Sequence, residues 1–145
     1  MALPQTIPPE RTEPAGVPLV FPSGLVGLPT WRRFALIVDA ETPALALLQS
    51  LDEPAISLLV AEVPALVPDY VERLGADDRA ALAALGLGSS PGVGLYCTLT
   101  VHETGEITAN LAGPLVIDHD RRCGTQLVLA ASPWPVRYAV GAAAG

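Results

Sequence analysis

The chain has 145 residues, half of them hydrophobic and only 16% charged, which is enough apolar material for one packed domain and too much for a disordered chain. Fifteen acids face eight arginines and no lysine, and the net charge of −7 excludes the basic stripe that a direct nucleic-acid binder needs. No apolar run approaches the ~20 residues of a membrane span, and two cysteines, Cys97 and Cys123, are too few for a disulfide framework, so a soluble protein of the reducing cytoplasm is expected.

Residues 1–16 carry Pro4, Pro8, Pro9 and Pro14 with almost no apolar pattern, and read as a proline-rich arm. The opening MALPQTIPPERTEP has no basic region leading into an apolar stretch, so no secretory signal is expected. A single domain is expected over 17–140. Its first strand is VPLVF (17–21), and the stretch FPSGLVGLP (21–29) that follows places Gly24 and Gly27 three apart. Such spacing can clamp a nucleic-acid backbone when a helix and basic residues lie beside it. Here no helix follows and only Arg32 and Arg33 are near, so the stretch reads as a turn-rich link to the next strand, FALIVD (34–39).

ALALLQSL (44–51) is ambiguous, because Ala and Leu favour helix while its length and the bracketing Pro43 and Pro54 suit a buried strand. ISLLVAEV (56–63) is a further strand. The helical signal lies in PDYVERLGADDRAALAALGL (68–87), where Asp69 and Asp77 are N-cap candidates, Gly75 divides two short helices and Gly86 ends the second. GLGSSPGVG (86–94) begins like a dinucleotide fingerprint. Its spacing fails, however, and a strand follows where a helix is required, so it is a helix-to-strand loop. Strands VGLYCTLTVH (93–102) and EITANL (106–111) flank a hairpin turn with Gly105, and PLVID (114–118) and QLVLAA (126–131) follow. GAAAG (141–145) reads as a tail. Many short strands without regular β–α alternation predict a mainly β fold, a small antiparallel β-barrel-like single domain with one or two short helices over about 69–86.

The acidity is concentrated. Between Asp39 and Arg79 nine acids face Arg73 and Arg79 alone, and this segment would repel nucleic acid and steer a basic partner, or simply serve as a solvated face. Catalytic patterns are missing: no serine lies in G-x-S-x-G, and His102 and His119 have no paired ligand spacing. Asp118, His119 and Asp120 could assist a metal enzyme, but neighbours on an extended chain point in alternating directions, so a polar turn is the preferred reading. Cys123 beside Arg122 has no visible general base. A binding protein without catalysis, metal or cofactor is expected.

Five short motifs occur in order: Phe21-Pro22-x-Gly24-Leu25-x-Gly27, Leu48-Gln49-Ser50, Pro68-Asp69-Tyr70, Thr108-Ala109-Asn110-Leu111 with Pro114-Leu115-Val116-Ile117, and Gly124-x-Gln126-x-Val128-Leu129. Together they resemble the flagellar assembly factor FliW family over about 17–138. The chain departs from the usual pattern at Leu28, Ala44, Val63, Gly113 and Tyr138, and its arm lacks the family's Gly-Glu pair. The resemblance implies a cytoplasmic, non-enzymatic factor. Family members bind flagellin and the translational repressor CsrA, which draw on one pool of the factor. A flagellin chaperone with no translational role is the alternative. Charge location selects Asp52, Glu53, Asp69, Tyr70 and Glu72 as partner-binding residues. Asp69 and Tyr70 could equally cap a helix and pack, and Gln49 and Asn110 read first as buried amides bonded to backbone.

Overall fold

Residues 34–38 and 44–48 are continuous apolar runs, and a computed structural model, which describes residues 16–129 and 133–142, shows what each face meets. The strands are β1 (Gly16–Val20), β2 (Arg33–Asp39), β3 (Thr42–Ser50), β4 (Ser57–Glu62), β5 (Val93–Val101), β6 (Glu106–Ala109), β7 (Leu115–Asp118), β8 (Cys123–Gln126) and β9 (Tyr138–Ala142). They run β1–β2–β3–β4–β5–β7–β8 around a ring, and β8 returns to β1 to close it. All pairings are antiparallel except that closing one, a parallel contact of Val20 with Cys123. The barrel-like β fold is therefore as expected. The far half of β5 also pairs with β6, and β6 with β9, so these two strands extend the wall beyond the ring.

Phe34 and Leu36 of β2 and Ala46 and Leu48 of β3 point into the barrel, where they meet Leu19, Phe21, Val60, Tyr96, Leu115 and Ile117. Phe21 and Phe34 meet edge to face, with centroids 5.5 Å apart. A second core lies outside the ring. Ala61 of β4, Leu95 and Cys97 of β5 and Val116 of β7 are covered there by Val63, Val67, Tyr70, Leu74 and Leu82 of the helical segment. Burial on both faces explains why β4, β5 and β7 read as nearly continuous apolar runs instead of alternating ones.

The structure resolves the ambiguous run and moves several boundaries of the sequence reading. The ambiguous run 44–51 lies almost wholly in β3, paired with β2 on one side and β4 on the other, because tertiary pairing overrides the helix preference of Ala and Leu. The strand expected to 63 ends at Glu62, where Pro64 opens a one-turn helix α1 (Val63–Leu66). A 3-10 turn (Val71–Arg73) and α2 (Ala76–Ala84), N-capped by Gly75, fall within the predicted helical region. The strand expected over 126–131 is shifted, since β8 ends at Gln126. The N–H of Leu127 donates to the Pro114 carbonyl at 3.0 Å, but proline has no N–H to return, and the ladder stops. Residues 130 and 131 of that prediction lie outside the described residues, as does the arm up to residue 15. Finally, β9 crosses the boundary drawn at 140, reaching Ala142.

Candidate functional site

The loop from Phe21 to Arg32 is built around its two glycines. Gly24 (φ +70°) donates to the Phe21 carbonyl, and a Cβ there would meet the Pro29 backbone at 2.6 Å. Leu25 and Leu28 exchange backbone hydrogen bonds of 3.2 and 2.8 Å across Val26-Gly27, and φ +81° at Gly27 suits the third position of a type II turn. Val26 N–H donates to the Gln126 side-chain oxygen at 2.8 Å, while the Gln126 amide nitrogen donates to the Gly113 carbonyl at 2.9 Å. Its neighbour Asn110 accepts from Ala112 and Gly113 N–H at 3.2 and 3.0 Å. One glutamine thus ties the first loop to the β6–β7 connection. The N–H groups of Gly24, Leu25, Val26 and Leu28 are occupied inside the protein, which agrees with the reading of this stretch as a link.

Gln49 builds the next turn. Its amide nitrogen donates to the carbonyls of Pro54 and Ile56 at 2.8 and 3.0 Å, shaping residues 51–56 between β3 and β4. That turn carries Asp52 and Glu53. Asp52 accepts from Arg32 and Arg33 backbone N–H at 2.8 and 2.9 Å and from the Arg33 guanidinium at 3.0 Å. These bonds, the backbone ones first, hold its carboxyl below the usual carboxylate range. Asp52 therefore fastens the foot of the first loop, whereas Glu53 beside it is exposed.

At the other end of β4, roughly 20 Å away at the rise of a six-residue strand, lie Asp69, Tyr70 and Glu72. Asp69 and Glu72 are exposed, and Asp69 pairs with Arg73 at 3.7 Å. Tyr70 is not at the surface: it is 1% exposed. Its hydroxyl donates to the Leu111 carbonyl, its ring stacks on Trp134 at 5.4 Å, and the Trp134 indole N–H donates to its carbonyl at 3.1 Å. Burial pushes its phenol pKa far up, with lesser contributions from Cys97 and Asp78. The Arg73 guanidinium lies over the Trp134 ring, 5.3 Å from its centroid. The five predicted residues thus divide into two separated groups. Only Glu53, Asp69 and Glu72 present charge outward without a role in fastening a loop.

Asp118, His119 and Asp120 diverge. Asp118 accepts the N–H groups of Asp120 and Arg121, both at 3.0 Å, in a turn, and His119 Nε2 lies 2.9 Å from the Tyr96 hydroxyl. Asp120 sits over Gly92, where a Cβ would meet it at 2.4 Å. Among the described residues no group of three His, Cys, Asp or Glu side chains could hold a metal. Cys97 is buried and Cys123 half-buried, and burial pushes the Cys97 thiol up to about 12. Sequence reasoning passed over the loop-fastening roles of Asp52 and Gln126 and the anchoring role of Trp134. The last had a signal in the lone tryptophan between Pro133 and Pro135.

Fold and site together define a small closed β-barrel domain in which the polar side chains of the short motifs hold turns and crossings. The chain matches the FliW protein family over residues 7–140. It is 32% identical over 127 residues to the flagellar assembly factor FliW of Lachnospira eligens, covering 84% of this chain and 82% of that one. The corresponding factor of Treponema pallidum is 32% identical over 116 residues, covering 79% and 75%. A crystal structure of the flagellar assembly factor FliW superposes with a TM-score of 0.67 at 28% identity, over 85% of this chain and 84% of that one. The chain belongs to the FliW family. No helix among the described residues is long and apolar enough to cross a membrane.

Proposed function

We propose that this chain is a cytoplasmic, non-enzymatic flagellar assembly factor that binds flagellin and antagonises a CsrA-type translational repressor by sequestration. While flagellin accumulates it occupies the factor, and once flagellin is exported the freed factor captures the repressor. Family membership supports the assembly role. The observation that carries the repressor half is the outward acidity of Glu53, Asp69 and Glu72, opposite in sign to the basic surface an RNA-binding repressor must have. Asp52, its carboxylate paired with Arg33, and Tyr70, in the core, shape the surface that carries these charges.

The test is co-purification from the native cytoplasm, followed by titration of the recovered partners at low and high salt. Both flagellin and the repressor are expected. Reversing Glu53 and Glu72 to Lys should weaken repressor capture by at least about tenfold at low salt, with a smaller difference at high salt. Recovery of flagellin alone would favour a chaperone with no translational role, and unchanged repressor affinity in the double variant would remove the electrostatic argument.

A further inference from the structure

Between α2 and the outer wall of β5 runs an open groove of about 430 Å³, lined by Val71, Arg79, Leu82, Leu87, Val93 and Leu95. Its volume falls within the range of small-molecule sites, roughly 300–1,000 Å³. Apart from Arg79 these named side chains are apolar, and Leu82 and Leu95 are buried while Val71, Leu87 and Val93 are half-buried. The guanidinium of Arg79 makes no hydrogen bond or ion pair among the described residues, although the segment around it is rich in carboxylates. Its neighbour Asp78 is within electrostatic reach of Tyr70 in the outer core.

The groove continues into a smaller cavity of about 230 Å³ through the residues they share, Pro64, Val93, Gly94 and Leu95. Gly94 has no side chain to divide them. The far cavity holds Glu62 and the His119–Tyr96 pair. A fixed positive charge therefore stands at one end of an apolar trough and a carboxylate at the other. This polarity selects the ligand: among the described residues Arg79 is the one charged side chain lining the larger groove and draws a negative head group there, while the carboxylate of Glu62 lies in the smaller cavity.

We propose that the groove binds a medium-chain monocarboxylate as a free acid anion, with its chain along Leu82, Leu87 and Val93 and its carboxylate on Arg79. The guanidinium fork matches a carboxylate geometrically, and the bond is charge-assisted. None of Glu53, Asp69 and Glu72 lines the groove, so failure of this proposal would leave the assembly-factor reading untouched.

The experiment is a methyl NMR titration of the intact protein with sodium octanoate, 1-octanol and octylammonium, each below its aggregation threshold. Octanoate is expected to shift the methyls of Val71, Leu82, Leu87 and Val93 and to bind at least about fivefold more tightly than octanol, a difference of about 1 kcal/mol. Octylammonium should bind weakest. Arg79→Ala should equalise octanoate and octanol, and Ala83→Trp, which fills the groove from the exposed face of α2, should abolish both. Equal affinities for octanoate and octanol in the wild type would overturn the proposal, as would octanoate shifts that survive Ala83→Trp.

Discussion

Asp52 shows how a residue chosen for its charge can be occupied by its own fold. Its carboxylate receives two backbone N–H groups and one guanidinium, which together close the gap between the first loop and the β3–β4 turn. The sign of its effect on stability follows from the depressed pKa. The folded carboxyl titrates below its unfolded value of about 3.9, so the contribution is complete above that pH and is lost as pH falls through the folded value. Asp52→Asn keeps the shape but removes one acceptor oxygen and the charge. Melting of the two proteins across pH 3–7 should show the wild type more stable above about pH 4, with the gap closing in more acid solution. A gap that stays constant down to pH 3 would mean that Asp52 acts through shape alone.

At the scale of elements, most strands were legible because they sit between Gly, Pro, Asn and Asp and carry β-branched residues, and the barrel followed from their number and short connections. What escaped depends on contacts distant in sequence. β9 has the small-residue sequence YAVGA, and what defines it is its pairing with β6 together with the Trp134 and Tyr138 rings, which meet at 5.7 Å. The end of β8 is set by Pro114, twelve residues earlier. For the candidate site, charge location singled out Glu53, Asp69 and Glu72, which the fold leaves exposed, but the PDY motif had two physical meanings, and the burial that decides between them for Tyr70 comes from Leu111 and Trp134. That latch is testable. Tyr70→Phe keeps the stack and removes the donor to the buried Leu111 carbonyl, so unfolding in urea should show a loss of about 1–3 kcal/mol with an unchanged m-value. A loss below about 0.3 kcal/mol would show that the hydroxyl bond contributes little beside the stacked rings.

Over the whole molecule the two thiols sit where they report different motions. The barrel is closed by a single parallel residue pair, Val20 with Cys123, while the other ring neighbours pair over longer stretches. The seam is therefore where the ring should open at least cost, and Cys123 lies on it, half-buried. Cys97 is enclosed between the wall and its helical cover, and burial raises its thiol to about 12. A neutral buried thiol favours folding below the unfolded value of about 8.5, and that contribution falls as pH rises toward 12. At pH 8 an alkylating reagent should label Cys123 first. Cys97 should react at least about a thousandfold more slowly than in the unfolded chain, since its exposure requires the outer core to open against several kcal/mol. In sub-denaturing urea the Cys97 rate should rise with the slope of global unfolding, and the Cys123 rate should rise more gently. Equal labelling of both thiols, or equal urea slopes, would show that the seam opens only when the whole barrel does.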